Sequence, residues 1–229
     1  MGNTPLTESL LDLFHNKGNI HSVEKDTYFF QEGDPNKGLY LVVSGKVKLS
    51  KLANDGTELT LRHVTKNNLF GELSLLNDET TYVLNAKMIN AGEVIILTKH
   101  DLIEEIENNG MIALELIQLM NERVRRDQTR FRDLVMYGKK GALYSTLIRL
   151  SNSYGRIEQH GIFIDSLMTD QKLADFCGTS RESVNRLMSE LRKKQVISTN
   201  KSYITIHNLD FLKEAINCGD CPITLCSVH

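Results

Sequence analysis

The last twelve residues of the chain contain three of its four cysteines, Cys218, Cys221 and Cys226. Their C-x2-C-x4-C spacing is typical of ligand sets for a metal ion or an iron–sulfur centre, because thiolates bind both strongly. A closed site made only of cysteines needs four thiolates. Since the tail supplies three, we expect a fourth ligand to come from another part of the fold.

A second candidate binding surface lies between residues 168 and 191. Thr169 can cap one helix, Gly178 can form a turn, and Thr179 or Ser180 can cap a second helix. Apolar residues at helical spacing hold one side of the second helix against a core and leave the other side polar. The side chains that we expect to contact DNA from this helix are Ser180, Arg181, Glu182, Asn185 and Arg186.

This arrangement is typical of a recognition helix, which presents its first turns to base edges in the major groove. Arginine can bind guanine through two hydrogen bonds, and glutamate can accept one from cytosine. Lys193, Lys194 and Lys201 follow the helix and suit contacts with phosphates, and residues 203–207 can form a wing strand. The alternative interpretation is a structural helix pair with solvated charges.

The charge distribution also favours a polyanion-binding second half. The net charge is −2, yet residues 1–136 carry 15 Lys and Arg against 20 Asp and Glu. Residues 137–217 carry 12 against 8. We therefore expect only the second part of the chain to approach nucleic acid.

Periodicity predicts the elements that position these residues. Between about residues 20 and 100, short β-branched and aromatic runs alternate with turn residues such as Asn54-Asp55-Gly56, a pattern typical of a jelly roll. The pattern becomes helical from Lys99 to about Tyr137, and Gly138 to Gly141 marks a link. We therefore expect an α+β fold with four parts: a β-roll at 1–108, a dimerisation helix at 109–137, a winged helix-turn-helix domain at 138–217 and a cysteine-rich tail at 218–229.

The long helix carries an apolar stripe with the spacing of a helix-pairing seam. Asp127 is a carboxylate on this stripe, where it would face its own copy in a symmetric dimer unless it turns outward into solvent. An ordinary helix packed on its own domain is the alternative. The residues that we expect to form a homodimer interface are Ile117, Met120, Val124, Asp127 and Phe131.

Composition narrows the function classes. Hydrophobic residues make up 41% of the chain, enough for cores. The start lacks a signal peptide pattern and no apolar run reaches membrane-spanning length, so we expect a cytoplasmic protein without a membrane partner. Four cysteines in 229 residues fit a reducing compartment. An enzyme would need paired acid and base groups near the tail, and the sequence shows none.

The β-roll, long helix and helix-turn-helix together resemble the cyclic-AMP receptor protein/FNR family of bacterial transcription factors over nearly the whole chain. The motif that carries the resemblance is residues 179–186, Thr-Ser-Arg-Glu-Ser-Val-Asn-Arg. The resemblance implies that Arg181, Glu182 and Arg186 read a TGTGA-type half-site. It also implies a homodimer on palindromic promoter DNA, with RNA polymerase as a partner.

The effector region departs from the cyclic-AMP-binding members of that family. Phe70-Gly71-Glu72-Leu73 resembles the start of their phosphate-binding segment, but Thr80-Thr81 stand where those members supply Arg-Ser. Without the arginine, a buried phosphate would lack its main partner. We therefore interpret Gly71 and Glu72 as a structural turn with its hydrogen-bonding partner.

The tail is more similar to the Bacillus-type FNR proteins, whose cysteines follow the DNA-binding domain. The resemblance implies a [4Fe-4S] cluster held by three cysteines and an aspartate of the long helix, which Asp133 matches in Phe131-Arg-Asp-Leu-Val135. The residue types alone would also allow Asp127, Asp220 or His229. Structural zinc and a bare thiol switch are the alternatives to the cluster, and a regulator responsive to a small ligand or cyclic nucleotide is the alternative function. We interpret Cys177 as a buried apolar residue.

The motifs and the resemblance together predict an oxygen-responsive transcription regulator. The resemblance alone implies that it activates genes for anaerobic respiration or fermentation. An oxygen ligand binds iron more weakly than a thiolate and leaves one corner of a cluster open to attack. A cluster that bridges the tail and Asp133 would tie the DNA-binding domain to the dimer helix. Its oxidative loss would release that tie and change DNA affinity.

Overall fold

A computed structural model describes residues 6–56, 58–75, 80–219 and 221–228. The chain divides into two compact units. The N-terminal unit contains residues 4–52 and 61–121, and the C-terminal unit contains residues 53–60 and 122–229. Within the described residues, no helix combines the length and apolarity that a membrane span needs.

The N-terminal unit is a β-roll of short antiparallel strands. Its elements are α1 (Glu8–Lys17), β1 (Asn19–Val23), β2 (Tyr28–Phe30), β3 (Gly38–Val42), β4 (Lys46–Leu52), β5 (Glu58–Thr65), β6 (Leu69–Gly71), β7 (Asn85–Asn90), β8 (Gly92–Thr98) and α2 (Lys99–Asn108). The strands form two four-stranded sheets with the orders β1-β8-β3-β6 and β2-β7-β4-β5. The first part of a longer helix follows α2.

Aromatic rings fill the centre of the β-roll. Phe30 stacks on Tyr82 with ring centroids 3.6 Å apart, and Tyr40 stacks on Phe70 at 4.8 Å. The Tyr40 and Tyr82 hydroxyls lie 3.3 Å apart and share a hydrogen bond, which satisfies both buried groups. These rings belong to one buried cluster with the strand residues around them.

Residues 80–82 are hydrogen-bonded to residues 33–36. The Tyr82 amide donates to the Asp34 carbonyl, and the Gly33 amide donates to the Tyr82 carbonyl. The Val83 amide donates to Glu72 Oε1 at 2.9 Å. Gly71 has a φ of +105°, a backbone conformation that residues with a side chain rarely adopt. Gly71 and Glu72 thus have the structural roles that the sequence predicts for them.

Helix α3 (Met111–Tyr154) is interrupted at Gly138. There φ is 60° and ψ is −153°, a conformation that is accessible essentially only to glycine. The predicted link therefore exists as a single residue at which the chain changes direction. The helical residues on either side of it face one another, because the Asp133 side chain contacts Ser145 and Arg149.

The rest of the C-terminal unit is a winged helix-turn-helix. Its elements after α3 are β9 (Gly155–Glu158), β10 (Gly161–Ile164), α4 (Asp170–Cys177), α5 (Arg181–Lys193), β11 (Ile197–Asn200), β12 (Tyr203–Ile206) and α6 (Leu209–Ala215). The sheet has the order β11-β12-β10-β9, and the buried core joins α3, α4, α5 and α6. Thr169 and Ser180 cap α4 and α5, and Gly178 ends α4 in the left-handed conformation, as the sequence predicts.

Candidate cluster site and DNA-binding surface

The three tail cysteines line one small cavity with Asp133. The end of α6 starts the tail in this direction, because the Cys218 amide donates to the Lys213 carbonyl at 2.9 Å. A turn over residues 222–226 then brings Cys226 back, with its amide 3.0 Å from the Pro222 carbonyl. The residues that line the cavity are Arg132, Asp133, Ser145, Ile148, Arg149, Ile216, Cys218, Cys221 and Cys226.

Asp133 is a buried carboxylate, 2% exposed, with both oxygens engaged. Ser145 Oγ donates to Asp133 Oδ2 at 2.6 Å. Arg132 donates to Oδ1 through Nη2 at 2.6 Å and Nε at 2.9 Å, and these bonds raise the pKa of the Arg132 guanidinium. Such partners are what a buried charge requires. Asp133 is therefore held at the wall of the cavity with the orientation of its carboxylate fixed.

Arg149 links Asp133 to the tail. It is 3% exposed, and its Nη2 lies 3.7 Å from Asp133 Oδ2. Its Nη1 donates to the Leu225 carbonyl at 2.8 Å, and its Nη2 donates to Thr129 Oγ1 at 2.8 Å. Arg149 was not predicted from the sequence, although a charged residue within the apolar run 147–150 was a detectable signal. Such an arginine needs a buried partner.

The donor set fits an iron–sulfur centre. Three sulfur ligands suit iron in such clusters, and one carboxylate can complete the set. The guanidinium groups of Arg132 and Arg149 lie in the same cavity wall and would offset the negative charge of the thiolates. Within the described part of the chain, no three His, Cys, Asp or Glu side chains are already arranged to hold a metal ion, so the fit rests on the types of the donors and on the cavity that they line together.

Protonation opposes ligation at Cys226. Burial raises the pKa of its thiol to about 11, and the positive charge of Arg149 offsets part of that shift. Because a bound thiolate must lose its proton, metal binding here would release protons. The same burial keeps solvent away from the Cys226 sulfur.

The other candidates for the fourth ligand are not seen at the cavity. Asp127 is exposed on α3 and is not among the residues that line the cavity. Asp220 and His229 lie outside the described residues. The structure thus brings Asp133 together with the three cysteines and leaves Asp127 apart from them.

Cys177 lies in the core of the C-terminal unit, away from the tail cavity. Its Sγ is 3.6 Å from Thr146 Oγ1, and burial raises its pKa to about 12. A thiol with that pKa stays protonated at ordinary pH, and only the thiolate reacts quickly. The interpretation of Cys177 as a small buried residue agrees with this environment.

We predict that iodoacetamide at pH 8 alkylates Cys177 at least about 100-fold more slowly than a free cysteine. The rate should rise as the pH approaches the raised pKa, because the thiolate fraction then grows. Mass spectrometry of the folded and denatured protein gives the two rates. Rapid alkylation in the folded protein would contradict the assignment of Cys177 as a buried, protonated thiol. As a control, Cys177→Ala should leave the metal content of the protein unchanged.

The recognition helix presents polar side chains at its start. Arg181, Glu182 and Arg186 are exposed, while Val184 and Leu187 are buried behind them. Ser180 caps the helix by accepting a hydrogen bond from the Ser183 amide at 3.3 Å. Asn185 is also exposed, but its amide donates to Asp170 Oδ2 at 2.8 Å. Lys193, Lys194 and Lys201 are exposed as well.

The long helix carries an exposed apolar face. Ile117 is 62% exposed, Val124 53% and Phe131 68%, whereas Met120 is half-buried. Asp127 is exposed on the same face. Large apolar side chains in a row mark an interaction surface on a soluble protein. The residues predicted for the dimer interface are therefore available for it.

Comparison with known proteins agrees with the two units. Residues 20–109 match the model of a cyclic nucleotide-binding domain, and residues 141–215 match a Crp-like helix-turn-helix domain. The fold is similar to that of the c-di-GMP responsive global regulator CLP of Xanthomonas campestris, with a TM-score of 0.77 and 19% identity over 88% of this chain and 99% of that one.

Two curated relatives are informative. The chain is 43% identical to an anaerobic regulatory protein of Bacillus subtilis (strain 168), over 97% of this chain and 94% of the relative. It is 29% identical to a CRP-like cAMP-activated global transcriptional regulator of Mycobacterium tuberculosis, over 70% of this chain and 71% of the relative. These matches indicate DNA binding and dimer formation rather than enzyme activity. The chain belongs to the CRP/FNR family of transcription regulators.

Proposed function

We propose that this chain is an oxygen-responsive transcription regulator whose [4Fe-4S] cluster is held by Cys218, Cys221, Cys226 and Asp133. In this proposal the homodimer binds a TGTGA-type palindrome when the cluster is intact. It activates genes for anaerobic respiration or fermentation together with RNA polymerase. The similarity to an anaerobic regulatory protein supports the physiological part of the proposal.

One observation carries the proposal: Asp133 and the three tail cysteines line the same cavity. Asp133 lies in the long helix before the break at Gly138, whereas the cysteines follow the DNA-binding domain in sequence. Ligands from these two segments would therefore connect the dimerisation helix to the end of the DNA-binding domain. Binding of a cluster and the orientation of the recognition helix would then be coupled.

The cluster would supply oxygen-labile bonds between the ligands. Asp133 would contribute the weaker oxygen ligand, and Ser145 would keep its second oxygen in place. Arg132 and Arg149 would reduce the cost of the negative charge. Loss of these bonds would remove the link between the helix and the tail sulfurs, and with it the preference for the DNA-binding orientation.

The second candidate is a regulator responsive to a cyclic nucleotide, as the name of the mycobacterial relative suggests for that protein. The match of residues 20–109 to a cyclic nucleotide-binding domain favours it. Two observations argue against it. Glu72 accepts a hydrogen bond from the Val83 amide, and stacked aromatic rings fill the centre of the β-roll.

Anaerobic purification provides the direct test. We expect brown protein with about four irons and four sulfides per chain. It should bind a TGTGA-type palindrome in that state, and exposure to air should abolish both the colour and the binding. Iron and sulfide analysis, absorption spectra and gel-shift titration measure the three properties on one sample.

A colourless anaerobic protein with stoichiometric zinc would contradict the cluster. Addition of cyclic AMP separates the two candidates. Affinity for DNA that rises with cyclic AMP and is indifferent to air would favour the nucleotide-responsive regulator. A matched sample with Cys177→Ala controls for the cysteine outside the tail, and it should behave as the native chain does.

A further inference from the structure

The end of the tail is held by side chains of α3 that are not cluster ligands. Arg126 Nη2 donates to the Thr224 carbonyl at 2.9 Å. Arg149 Nη1 donates to the Leu225 carbonyl at 2.8 Å, and Asn152 Nδ2 donates to the Cys226 carbonyl at 2.7 Å. Three successive carbonyls are thus bound by three donors from one helix.

Two further contacts continue this pattern to the end of the described chain. Arg130 Nη2 donates to the Ser227 carbonyl at 3.4 Å. The Val228 amide donates to Ser153 Oγ at 3.0 Å. Arg126 and Arg130 precede the break at Gly138, while Asn152 and Ser153 follow it. The tail is therefore bound by both parts of the helix.

The tail residues that make these hydrogen bonds are also buried in the core of the C-terminal unit. Ser227 and Val228 are at most 1% exposed, and Cys226 and Val228 belong to the main hydrophobic cluster of the C-terminal unit. Burial of Val228 adds an apolar contribution to the hydrogen bonds. None of these contacts uses a thiol or the Asp133 carboxylate. They consequently do not depend on bonds between those ligands and iron.

We propose that Arg126, Arg149 and Asn152 form a main-chain clamp that keeps residues 224–228 docked on α3 independently of any metal. Charged donors bind carbonyls more strongly than neutral ones, and Arg149 is buried, so the clamp is strong locally. The clamp is an intramolecular binding site for the backbone of the turn and bend at residues 223–227. Its positioning role is to hold Cys226 at the cavity.

The clamp has a consequence for switching, which rests on the proposed function. If the tail stays docked, loss of a cluster does not release it from the helix. The bonds that change are then those of the Asp133 carboxylate and the three cysteine sulfurs at the cavity, while the main chain of Cys226 stays held. The movement that alters DNA binding would start at Asp133 and the break at Gly138, rather than with a detached tail.

Hydrogen–deuterium exchange of the full-length protein tests the clamp. The peptide that covers residues 222–228 is followed in anaerobically purified protein and after removal of iron by a chelator. We expect its protection to differ by less than about threefold between the two samples, because local opening is governed by the clamp. Exchange at the rate of an unstructured peptide after iron removal would overturn the proposal.

Variants identify the residues responsible. Arg126→Ala should speed exchange of this peptide by about tenfold or more, and Asn152→Ala by about fivefold, since charged hydrogen bonds contribute more than neutral ones. Arg125→Ala is the matched control, because Arg125 is the exposed neighbour of Arg126 on the same helix. It should leave exchange within about twofold of the native rate. If this peptide exchanges at the same rate in all three variants, these residues do not form the clamp.

The exchange data also separate the clamp from the proposed function. Iron-free protein under all anaerobic conditions, with a protected tail, would refute the cluster and support the clamp. Iron-containing protein whose tail exchanges freely after chelation would support the cluster and refute the clamp. Circular dichroism and thermal melting of each variant show whether it is globally unfolded. If the variant at the buried Arg126 is unfolded, the variant at the half-buried Asn152 decides the outcome.

Discussion

Asp133→Ala is expected to reduce the iron content of anaerobic protein from about four to less than about one per chain. The reason is that the cavity then offers three thiolates and no fourth ligand. DNA affinity under anaerobic conditions should fall by at least about 100-fold, which corresponds to roughly 2.7 kcal/mol. Dimerisation should persist, because Asp133 is buried on the side of α3 opposite the exposed apolar face. Iron analysis, gel shift and sedimentation measure the three quantities.

Asp127→Ala is the matched control for this experiment. It removes an exposed carboxylate from the same helix, away from the cavity, and should retain a normal iron content. Asp133→Ala also leaves the buried Arg149 without its carboxylate, which costs about 3–5 kcal/mol for a buried pair. Asp133→Asn therefore serves as an isosteric second variant that keeps the packing.

Asp133→Cys supplies the rescue. A fourth thiolate should restore iron binding and slow the loss of iron in air, because a thiolate holds iron more strongly than a carboxylate. A normal cluster in Asp133→Ala would instead transfer the fourth-ligand assignment to Asp127, Asp220 or His229. Unchanged air sensitivity of Asp133→Cys would show that the oxygen ligand does not set the rate of loss.

Arg186→Ala is expected to weaken binding to a TGTGA-type palindrome by about 2–6 kcal/mol. Each half-site contributes about 1–3 kcal/mol for a bidentate contact with guanine, and a dimer loses two. Binding to unrelated DNA should change little, since that depends on phosphate contacts. Arg181→Ala and Glu182→Ala should show the same dependence on sequence. Fluorescence anisotropy on specific and scrambled duplexes measures the ratio.

Lys193→Ala is the matched control for the Arg186→Ala experiment, because it tests a contact with phosphate and not with a base. Lys193 is an exposed cation at the end of the same helix, so its loss should weaken binding to both duplexes equally. It should also reduce the slope of log affinity against log salt by about one per subunit. Equal losses on both duplexes for Arg186→Ala would contradict a role in sequence recognition.

The helix-turn-helix was predictable from local sequence because local interactions determine it. Thr169 and Ser180 cap their helices through contacts with amides three residues away, and Gly178 adopts a left-handed conformation. The strands of the β-roll were predictable for the same reason, since alternation and turn residues act over short distances. The predicted dimer face also rests on helical spacing, and the exposure of its apolar residues agrees with that prediction.

The tail site was only half predictable. The spacing of Cys218, Cys221 and Cys226 predicted a ligand set, and residue types left the fourth ligand open among several carboxylates and a histidine. The family resemblance implied Asp133. The choice depends on where α3 turns, and that turn is a single glycine, Gly138. It brings Ser145 and Arg149 beside Asp133, which a pattern along the chain does not reveal.

The sequence by itself determined the family and predicted a recognition helix and a set of soft ligands at the tail. Only the tertiary structure shows that the Asp133 carboxylate, which the resemblance implied, lines one cavity with those thiols, and how the tail is held. The physical reason is that the clamp binds backbone carbonyls, which every residue possesses equally. No side-chain pattern can therefore indicate that Arg126 binds Thr224 or that Asn152 binds Cys226. These contacts are recognised only from the distances in the folded chain, which turns back on itself at Gly138.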